Sequence, residues 1–161
     1  MMRLEYLEIL PIKKMISPPS YIIQIVDWNT QHQTLAKLRT DVFVLEQNVP
    51  LEIVMDGLDA GGVHVAAFDT DGNIIGIARL ILDRPVPRIG FMAVVKARRG
   101  AGVGGQMLAT LCDAAKQHGF AEVMVHSQTH AAPFYYQHGF LSLGSEFFEA
   151  GIPHQEMHKR I

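Results

Sequence analysis

The sequence predicts an α/β fold built on one mixed, mostly antiparallel sheet that contains a single parallel crossover. Two strand-like runs, 63–68 and 74–80, are joined by a short polar segment whose Asp71-Gly72 step predicts an antiparallel hairpin. Further along, an apolar run at 89–95 leads through a glycine-rich loop and a helical pattern to another strand-like run at 121–126. A strand, a helix and a strand of this length require a parallel, right-handed crossover.

Length and composition indicate one domain and disfavour several classes of partner. With 161 residues, 48% of them apolar, the chain can bury a core. A formal net charge of -2 gives no overall attraction to nucleic acid or to a membrane surface, so neither is expected as a partner. The single Cys112 cannot form an internal disulfide, which favours a reducing compartment and hence a cytoplasmic location.

No membrane-spanning or targeting segment is expected. No apolar run approaches the roughly 18 residues that a membrane span needs, and charged residues from Arg3 to Lys14 occupy the region where a signal peptide would be apolar. Residues 1–20 end in Ser17-Pro18-Pro19-Ser20, which breaks regular structure, so we predict an appendage followed by a domain over residues 21–161. The apolar residues of the appendage would dock on the domain or on a second subunit, which would make a homodimer.

The first elements of the domain follow from apolar spacing. The run 21–26 predicts a strand, after which Asn29 or Thr30 is available as a helix N-cap. The helix is predicted to end near Gln47, and its apolar face consists of Leu35, Leu38, Val42 and Leu45. A partly acidic connection, 51–62, then leads to the hairpin.

The last elements are shorter. The pattern predicts a helix over 131–138 that is closed by Gly139. Two strands, 140–148 and 154–158, are predicted around a turn at 150–153.

The glycine-rich loop is the strongest functional signal. Four of the residues from 100 to 105 are glycines, which lets the backbone turn sharply and leaves several N–H groups pointing at one place. The helix that follows adds the positive end of its dipole, and Lys96, Arg98 and Arg99 add formal charge. The loop therefore predicts a binding site for phosphate groups.

Two motifs resemble those of the GNAT N-acetyltransferases. Arg99-x-x-Gly102-x-Gly104 is similar to the (Arg/Gln)-x-x-Gly-x-(Gly/Ala) signature that seats the pyrophosphate of acetyl-CoA in that family. The segment Phe134-Tyr135 with Gly139-Phe140 resembles the family's Phe-Tyr-x-x-x-Gly-Phe segment. The resemblance covers residues 21–160 and implies a GNAT-like three-layer αβα sandwich with a sheet of six to seven strands.

Three further phrases resemble a subgroup of small bacterial GNATs related to the ElaA and YjcF-like proteins. They are Val42-Phe43-Val44-x-Glu46-Gln47, Phe91-Met92-Ala93-Val94 and Glu149-Ala150-Gly151-Ile152-Pro153-His154.

The resemblance implies acetyl-CoA as co-substrate and assigns residues to it. The loop residues implied to hold the pyrophosphate are Arg99, Gly100, Ala101, Gly102, Val103, Gly104 and Gly105. The backbone of Met92, Ala93 and Val94 would meet the pantetheine arm where the two parallel strands separate, and Phe134 and Tyr135 would lie beside it. Gln128 stands where many relatives have a cofactor-contacting asparagine, so its role is either cofactor contact or a surface or capping contact.

The reaction implied is acetyl transfer to a primary amine of a small molecule or peptide by direct attack in a ternary complex. The departing thiolate needs a proton, and the match to the Phe-Tyr segment makes Tyr135 the candidate acid, since tyrosine is protonated at neutral pH. The alternative role of Tyr135 is packing against Phe134. Tyr136 is a weaker candidate acid because the motif is variable there.

No residue is singled out as the base that deprotonates the amine. Glu46, Asp56 and His64 are candidates by position, as is His154. The first three have structural alternatives: Glu46 as a helix-end carboxylate, Asp56 as a loop carboxylate and His64 as a packed or surface strand residue. The carboxylates of the acidic connection, together with Glu46, favour a cationic amine as acceptor.

No metal site is expected. The pairs His126 with His130 and His154 with His158 have a spacing that chelates metal on a helix, but both fall on predicted strands or turns. Cys112 has apolar neighbours on a helix and is predicted to be a core residue.

Two other functions compete with the acyltransferase. Gly100-x-Gly102-x-x-Gly105 also fits a dinucleotide-binding fingerprint, but no acidic residue ends the following strand and too little chain remains for a doubly wound sheet. A non-catalytic coenzyme A-binding domain of the same fold is the second alternative, and the presence of Tyr135 favours an enzyme over it.

Overall fold

The described part of the computed structural model, residues 20–161, forms one eight-stranded sheet with helices on both faces. The strands run in the order β1-β2-β3-β4-β5-β8-β6, and β7 pairs with β8. Their bounds are β1 Tyr21–Val26, β2 Val63–Asp69, β3 Ile74–Ile81, β4 Arg88–Val94, β5 Glu122–Gln128, β6 Leu141–Ser142, β7 Phe147–Glu149 and β8 Ile152–Arg160. The helices are α1 Trp28–Arg39, α2 Leu51–Val54, α3 Val103–Gln117 and α4 Ala132–Gln137. The predicted appendage, apart from Ser20, lies outside the described residues.

The three-layer sandwich follows from the alternation of side chains along the strands. On β2, Val65 and Ala67 pack in the cluster that contains α3 residues such as Leu111, whereas Ala66 packs in the cluster of α1 residues such as Leu35. Cys112 is buried in the first cluster, as predicted.

The first helix differs from the prediction at both ends. Its N-cap is Asp27, whose carboxylate accepts a hydrogen bond from the amide of Asn29 at 3.0 Å, rather than Asn29 or Thr30. After Arg39 the chain continues as a π-helix over Thr40–Glu46. The wider turn shifts the buried face, so that Leu45 is 71% exposed and the prediction that it packs in the core is wrong.

The crossover β4–α3–β5 gives the sheet its parallel pair, as predicted, and every other pairing is antiparallel. This contradicts the dinucleotide-binding alternative, which needs a mostly parallel sheet. The predicted strand over 140–148 is broken into two short strands, because Gly144 adopts a φ of 76° between them. The last strand, β8, is longer than predicted.

Three buried charges, together with the half-buried Asp56, tie α1, the acidic connection and β3 together. Asp59 accepts hydrogen bonds from both Arg39 Nη atoms and from Arg79 Nη1, each at 2.9 Å. Arg79 also binds both oxygens of Asp56, at 2.6 and 2.7 Å. Burial alone would raise the pKa of Asp59, but the hydrogen bonds and charges of the two arginines lower it overall.

The two arginines also clamp a bulge in β4. Phe91 has a φ of 47°, and its ring lies 4.5 Å from Arg39 Cζ and 4.7 Å from Arg79 Cζ. The pairing of β3 and β4 shifts by one residue here, so that Phe91 and Met92 stand opposite Ala78 alone. The charge cluster therefore fixes the backbone of β4 where its pairing is irregular.

Removing Asp59 tests the importance of this cluster. Asp59→Ala leaves the guanidinium groups of Arg39 and Arg79 buried with too little negative charge, and we expect a loss of about 3–5 kcal/mol of unfolding free energy. The control is Asp41→Ala, which removes an exposed ion pair with Lys37 and should cost less than about 1 kcal/mol. Urea denaturation measures both, and equal losses would contradict the proposed importance of the cluster.

Candidate active site

The glycine loop presents unpaired backbone amides at the start of α3. Gly100 and Gly102 have φ values of 78° and 84°, which favour glycine. The first helical bond of α3 runs from the amide of Gln106 to the carbonyl of Gly102 at 3.2 Å. Within residues 20–161, no acceptor binds the amides of residues 100–105. Residues 100–102 are exposed and Gly104 and Gly105 are half-buried, so an anion can reach the amides of the loop from solvent.

A close contact explains one glycine of the first helical turn. A Cβ on Gly105 would lie 2.6 Å from Nε2 of His138, whereas one on Gly104 would make an ordinary contact with the ring of Phe134 at 3.4 Å. The hydroxyl of Tyr21 donates to the carbonyl of Ala101 at 3.2 Å and ties the loop to β1. Glycine thus serves the backbone conformation at Gly100 and Gly102 and helix packing at Gly105.

The signature arginine is held by the protein itself. Arg99 Nε donates to the carbonyl of Val94 at 2.8 Å, and its Nη2 pairs with Glu46 at 2.8 Å. Glu46, a predicted candidate for the base, therefore lies beside the glycine loop and does not line the cavity described next.

A cavity of about 250 Å³ opens where β4 and β5 separate. The two strands pair only at Arg88 with Met124 and at Ile89 with Val125. Beyond these pairs, the edge of β4 over residues 92–94 has no strand partner on the β5 side. The cavity is lined by Gly90, Phe91 and Met92 of β4, by Ser127 and Gln128 of β5, and by Tyr135 of α4.

Tyr135 lies on the wall of this cavity. Its ring packs edge-on against Phe134 at 5.0 Å and Phe140 at 5.6 Å. Burial raises the pKa of Tyr135 to about 12, and its hydroxyl makes no hydrogen bond with another described residue. Tyr136 instead is exposed and bonded to Ser142. Of the two tyrosines, only Tyr135 lines the cavity.

His126, His154 and Glu149 line the same cavity and contact one another. His154 Nδ1 lies 2.7 Å from the carbonyl of Ile152, which can only accept, so Nδ1 carries the proton and Nε2 is free. By the same reasoning His126 Nδ1 donates to Glu149 at 3.0 Å, and this bond lowers the pKa of Glu149. The other Glu149 oxygen lies 3.7 Å from His154 Nε2 and would stabilise a protonated imidazole.

The remaining predicted site residues lie elsewhere or make other contacts. His64 is 3% exposed, stacks on Trp28 at 4.9 Å and bonds the carbonyl of Asp59, and burial lowers its pKa. Neither His64 nor Asp56 lines the cavity. Gln128 does line it, and its side-chain amide donates to Gln47 at 2.8 Å.

Two cavity residues were not singled out from the sequence. Glu149 begins the motif 149–154, which resembles the ElaA/YjcF-like subgroup. Its place five residues before the candidate base His154 was the signal in the sequence that could have identified it. Arg88 gave no signal, because an arginine that begins a predicted strand is commonplace. Tertiary structure alone brings both into one cavity.

Neither a transmembrane helix nor a clustered metal site is found in residues 20–161. No helix there is long and apolar enough to cross a bilayer. No group of three or more His, Cys, Asp or Glu side chains within the same residues is arranged to hold a metal ion.

Comparison with known proteins identifies the class. Residues 31–161 match the family described as acetyltransferase (GNAT) domain. The chain is 37% identical to the uncharacterized N-acetyltransferase YjcF of Bacillus subtilis, over 76% of this chain and 87% of that protein. Among solved structures, an acyl-CoA N-acyltransferase from Pseudomonas aeruginosa matches with a TM-score of 0.78 and 28% identity, over 87% of this chain and 99% of that one. ElaA of Escherichia coli matches with a TM-score of 0.77 and 28% identity, over 86% and 99%.

The fold, the glycine loop and these similarities define an N-acetyltransferase. The chain belongs to the GNAT acetyltransferase family and is an ElaA/YjcF-like member of it.

Proposed function

We propose that the protein transfers the acetyl group of acetyl-CoA to a primary amine by direct attack in a ternary complex. The observation that carries this proposal is the set of unpaired amides at residues 100–105, followed by an unpaired strand edge and a cavity with acid and base groups. A diphosphate fits the amides and the dipole at the start of α3. The acceptor is a small molecule or a peptide, and a homodimer stays a prediction.

The unpaired edge of β4 supports the expected route of the pantetheine arm. Met92, Ala93 and Val94 can offer backbone groups to an extended amide-containing chain as a sheet edge does. This edge connects the glycine loop to the cavity, since the loop follows β4 directly and Met92 lines the cavity. Acetyl-CoA supplies the activated thioester, and the residues described next move the protons.

Tyr135 and His154 have the properties needed for the two proton transfers. His154 Nε2 accepts a proton from the attacking amine, and Glu149 stabilises the resulting imidazolium. A nitrogen–carbon bond then forms as the carbon–sulfur bond of the thioester breaks. Tyr135 gives its hydroxyl proton to the departing thiolate and regains a proton from solvent. Because its pKa is about 12, Tyr135 is protonated throughout the neutral range.

Distorting the loop should remove coenzyme A binding without unfolding the protein. Gly102→Val forces the left-handed position at φ 84° to change and turns the neighbouring amides away. We expect the affinity for coenzyme A, measured by calorimetry, to fall at least about tenfold to hundredfold as charge-assisted bonds are lost. Gly104 has an ordinary φ, and Gly104→Val should also lower the affinity for coenzyme A.

Gly119→Val is the matched control for Gly102→Val. Gly119 has a φ of 87° just past the carboxyl end of α3, with nothing within 4 Å of a Cβ, so the backbone strain is similar while the length of α3 separates it from the loop. Both variants should lose similar stability, and only the loop variant should lose affinity. Normal coenzyme A affinity in Gly102→Val would contradict the anion site.

Replacing Tyr135 by Phe should slow turnover and leave coenzyme A affinity unchanged. Removal of a general acid is expected to lower kcat by about 10²–10⁴-fold, because the ring packing is preserved and only the hydroxyl is lost. Tyr136→Phe is the control, since its exposed hydroxyl does not line the cavity. Release of free thiol measures kcat, and an unchanged rate in Tyr135→Phe would reduce this residue to a packing role.

The base assignment predicts a selective loss of turnover. His154→Gln removes the imidazole Nε2 that takes the proton of the amine, so kcat should fall about 10²–10⁴-fold while the affinity for coenzyme A is unchanged. The control is His118→Gln, because His118 makes the same kind of Nδ1 bond to a carbonyl, that of Ala114 at 2.8 Å, and does not line the cavity. An unchanged kcat in His154→Gln would show that another group is the base.

A further inference from the structure

Arg88 is an unused cation in the wall of the cavity. It lies at the start of β4, lines the cavity and is half-buried. Within residues 20–161 its guanidinium makes no hydrogen bond and no ion pair. Burial, together with the nearby positive charge of Arg84, lowers the pKa of Arg88 overall, so the opposing charges of Glu149 and Asp56 compensate its charge only in part. A half-buried guanidinium without a partner is costly unless a ligand supplies the anion.

Two other arginines near the site, by contrast, have carboxylate partners. Arg79 also lines the cavity, but its guanidinium is neutralised by Asp56 and Asp59. Arg99 is bound by Glu46 and by a backbone carbonyl. The guanidinium of Arg88 is therefore the part of the cavity wall that can receive an anion.

The distance along β4 shows which anion this can be. Arg88 and Val94 are the two ends of β4, and strand geometry puts them about 20 Å apart. The glycine loop follows Val94, so the diphosphate of coenzyme A and Arg88 lie at opposite ends of the strand. Arg88 is thus placed on the acceptor side of Met92, beyond the expected path of the pantetheine arm.

The charges of the cavity favour an acceptor that carries both signs. The planar guanidinium of Arg88 matches the geometry of a carboxylate, which it can bind through two hydrogen bonds. Glu149, whose lowered pKa keeps it ionised, also lines the cavity and attracts an ammonium group. A cation without an anionic group would leave Arg88 unpaired.

We propose that Arg88 binds a carboxylate of the acceptor, so that the substrates of the enzyme are amino carboxylates rather than simple cationic amines. This proposal rests on the acyltransferase function proposed above. It also replaces the expectation of a cationic acceptor, because three carboxylates behind that expectation are neutralised by arginines: Asp56 and Asp59 by Arg39 and Arg79, and Glu46 by Arg99. The fourth, Glu52, is exposed and does not line the cavity.

The test compares α- and ω-amino acids with their own carboxamides, which keep the amine and the size but lose the negative charge. Thiol release from acetyl-CoA gives kcat/KM for each member of a pair. We expect the acids to be favoured on the order of tenfold to hundredfold by the wild-type enzyme. Arg88→Met should abolish the preference by slowing the acids alone, and Arg88→Lys should restore part of it.

Arg84→Met is the matched control, because it removes the same charge from a nearby residue that does not line the cavity. This variant should keep the preference for acids. Equal kcat/KM for acids and amides in the wild type, or a preference that survives Arg88→Met, would overturn the assignment of Arg88.

Binding measurements separate this proposal from the acyltransferase function. If no pair gives thiol release, the acetyl-transfer proposal fails, and calorimetry with the same pairs and coenzyme A-loaded protein decides the role of Arg88. Acids that bind at least about tenfold more tightly than amides in the wild type, and equally in Arg88→Met, would support it. Acids that bind no better than amides, or no measurable binding of either, would overturn it.

Discussion

The clamp that Arg39 and Arg79 form around Phe91 is the constraint on which the rest of the site depends. It holds β4 at a bulge where the backbone of Phe91 has a φ of 47°. Just at this point β4 and β5 cease to pair, and the cavity lies in the gap. Burying two guanidinium groups is costly, and Asp56 and Asp59 offset that cost. Without these carboxylates Arg79 would have no hydrogen-bond partner among the described residues, and Arg39 would keep only its bond to the carbonyl of Val54.

The two ends of β4 bind different groups, because the length of the strand keeps the diphosphate site apart from the acceptor site. At its carboxyl end lies the glycine loop, whose unpaired amides suit a diphosphate. Near its amino end lie the groups that face an acceptor, among them Arg88. The cavity between them receives Tyr135 from α4 and His154 from β8. The loop, β4, α4 and β8 thus each contribute a different functional group, and these groups meet in the gap between β4 and β5.

The acidic connection shows how composition can mislead about substrates. Its carboxylates suggest a surface that attracts cations, yet Asp59 is 5% exposed and both Asp56 and Asp59 are bound by arginines. Their role in the structure is to neutralise buried charge. In the cavity wall, the charged group without a partner is the guanidinium of Arg88. The charge offered to a ligand is therefore positive, whereas the composition of the acidic connection suggests a negative one. Only pairwise distances reveal such a reversal.

The sequence by itself determined most of the elements and the anion loop. The hairpin, the crossover and the two faces of the sheet depend on local periodicity and turn chemistry, which neighbouring residues encode. The same is true of the loop, because glycine spacing and a helix start are adjacent in the chain. The π-helical turn that exposes Leu45 and the break at Gly144 were missed, since tertiary packing selects them over the local pattern.

Only the tertiary structure decided which side chains meet in the cavity and which charges remain free. Glu149 and His126 are distant in sequence yet 3.0 Å apart, and Arg79 but not Arg88 finds carboxylate partners. These relations depend on strand register and on one bulge, where a shift of a single residue moves a side chain to the other face of the sheet. Local sequence encodes a strand, whereas the register of that strand is set by all the strands it pairs with.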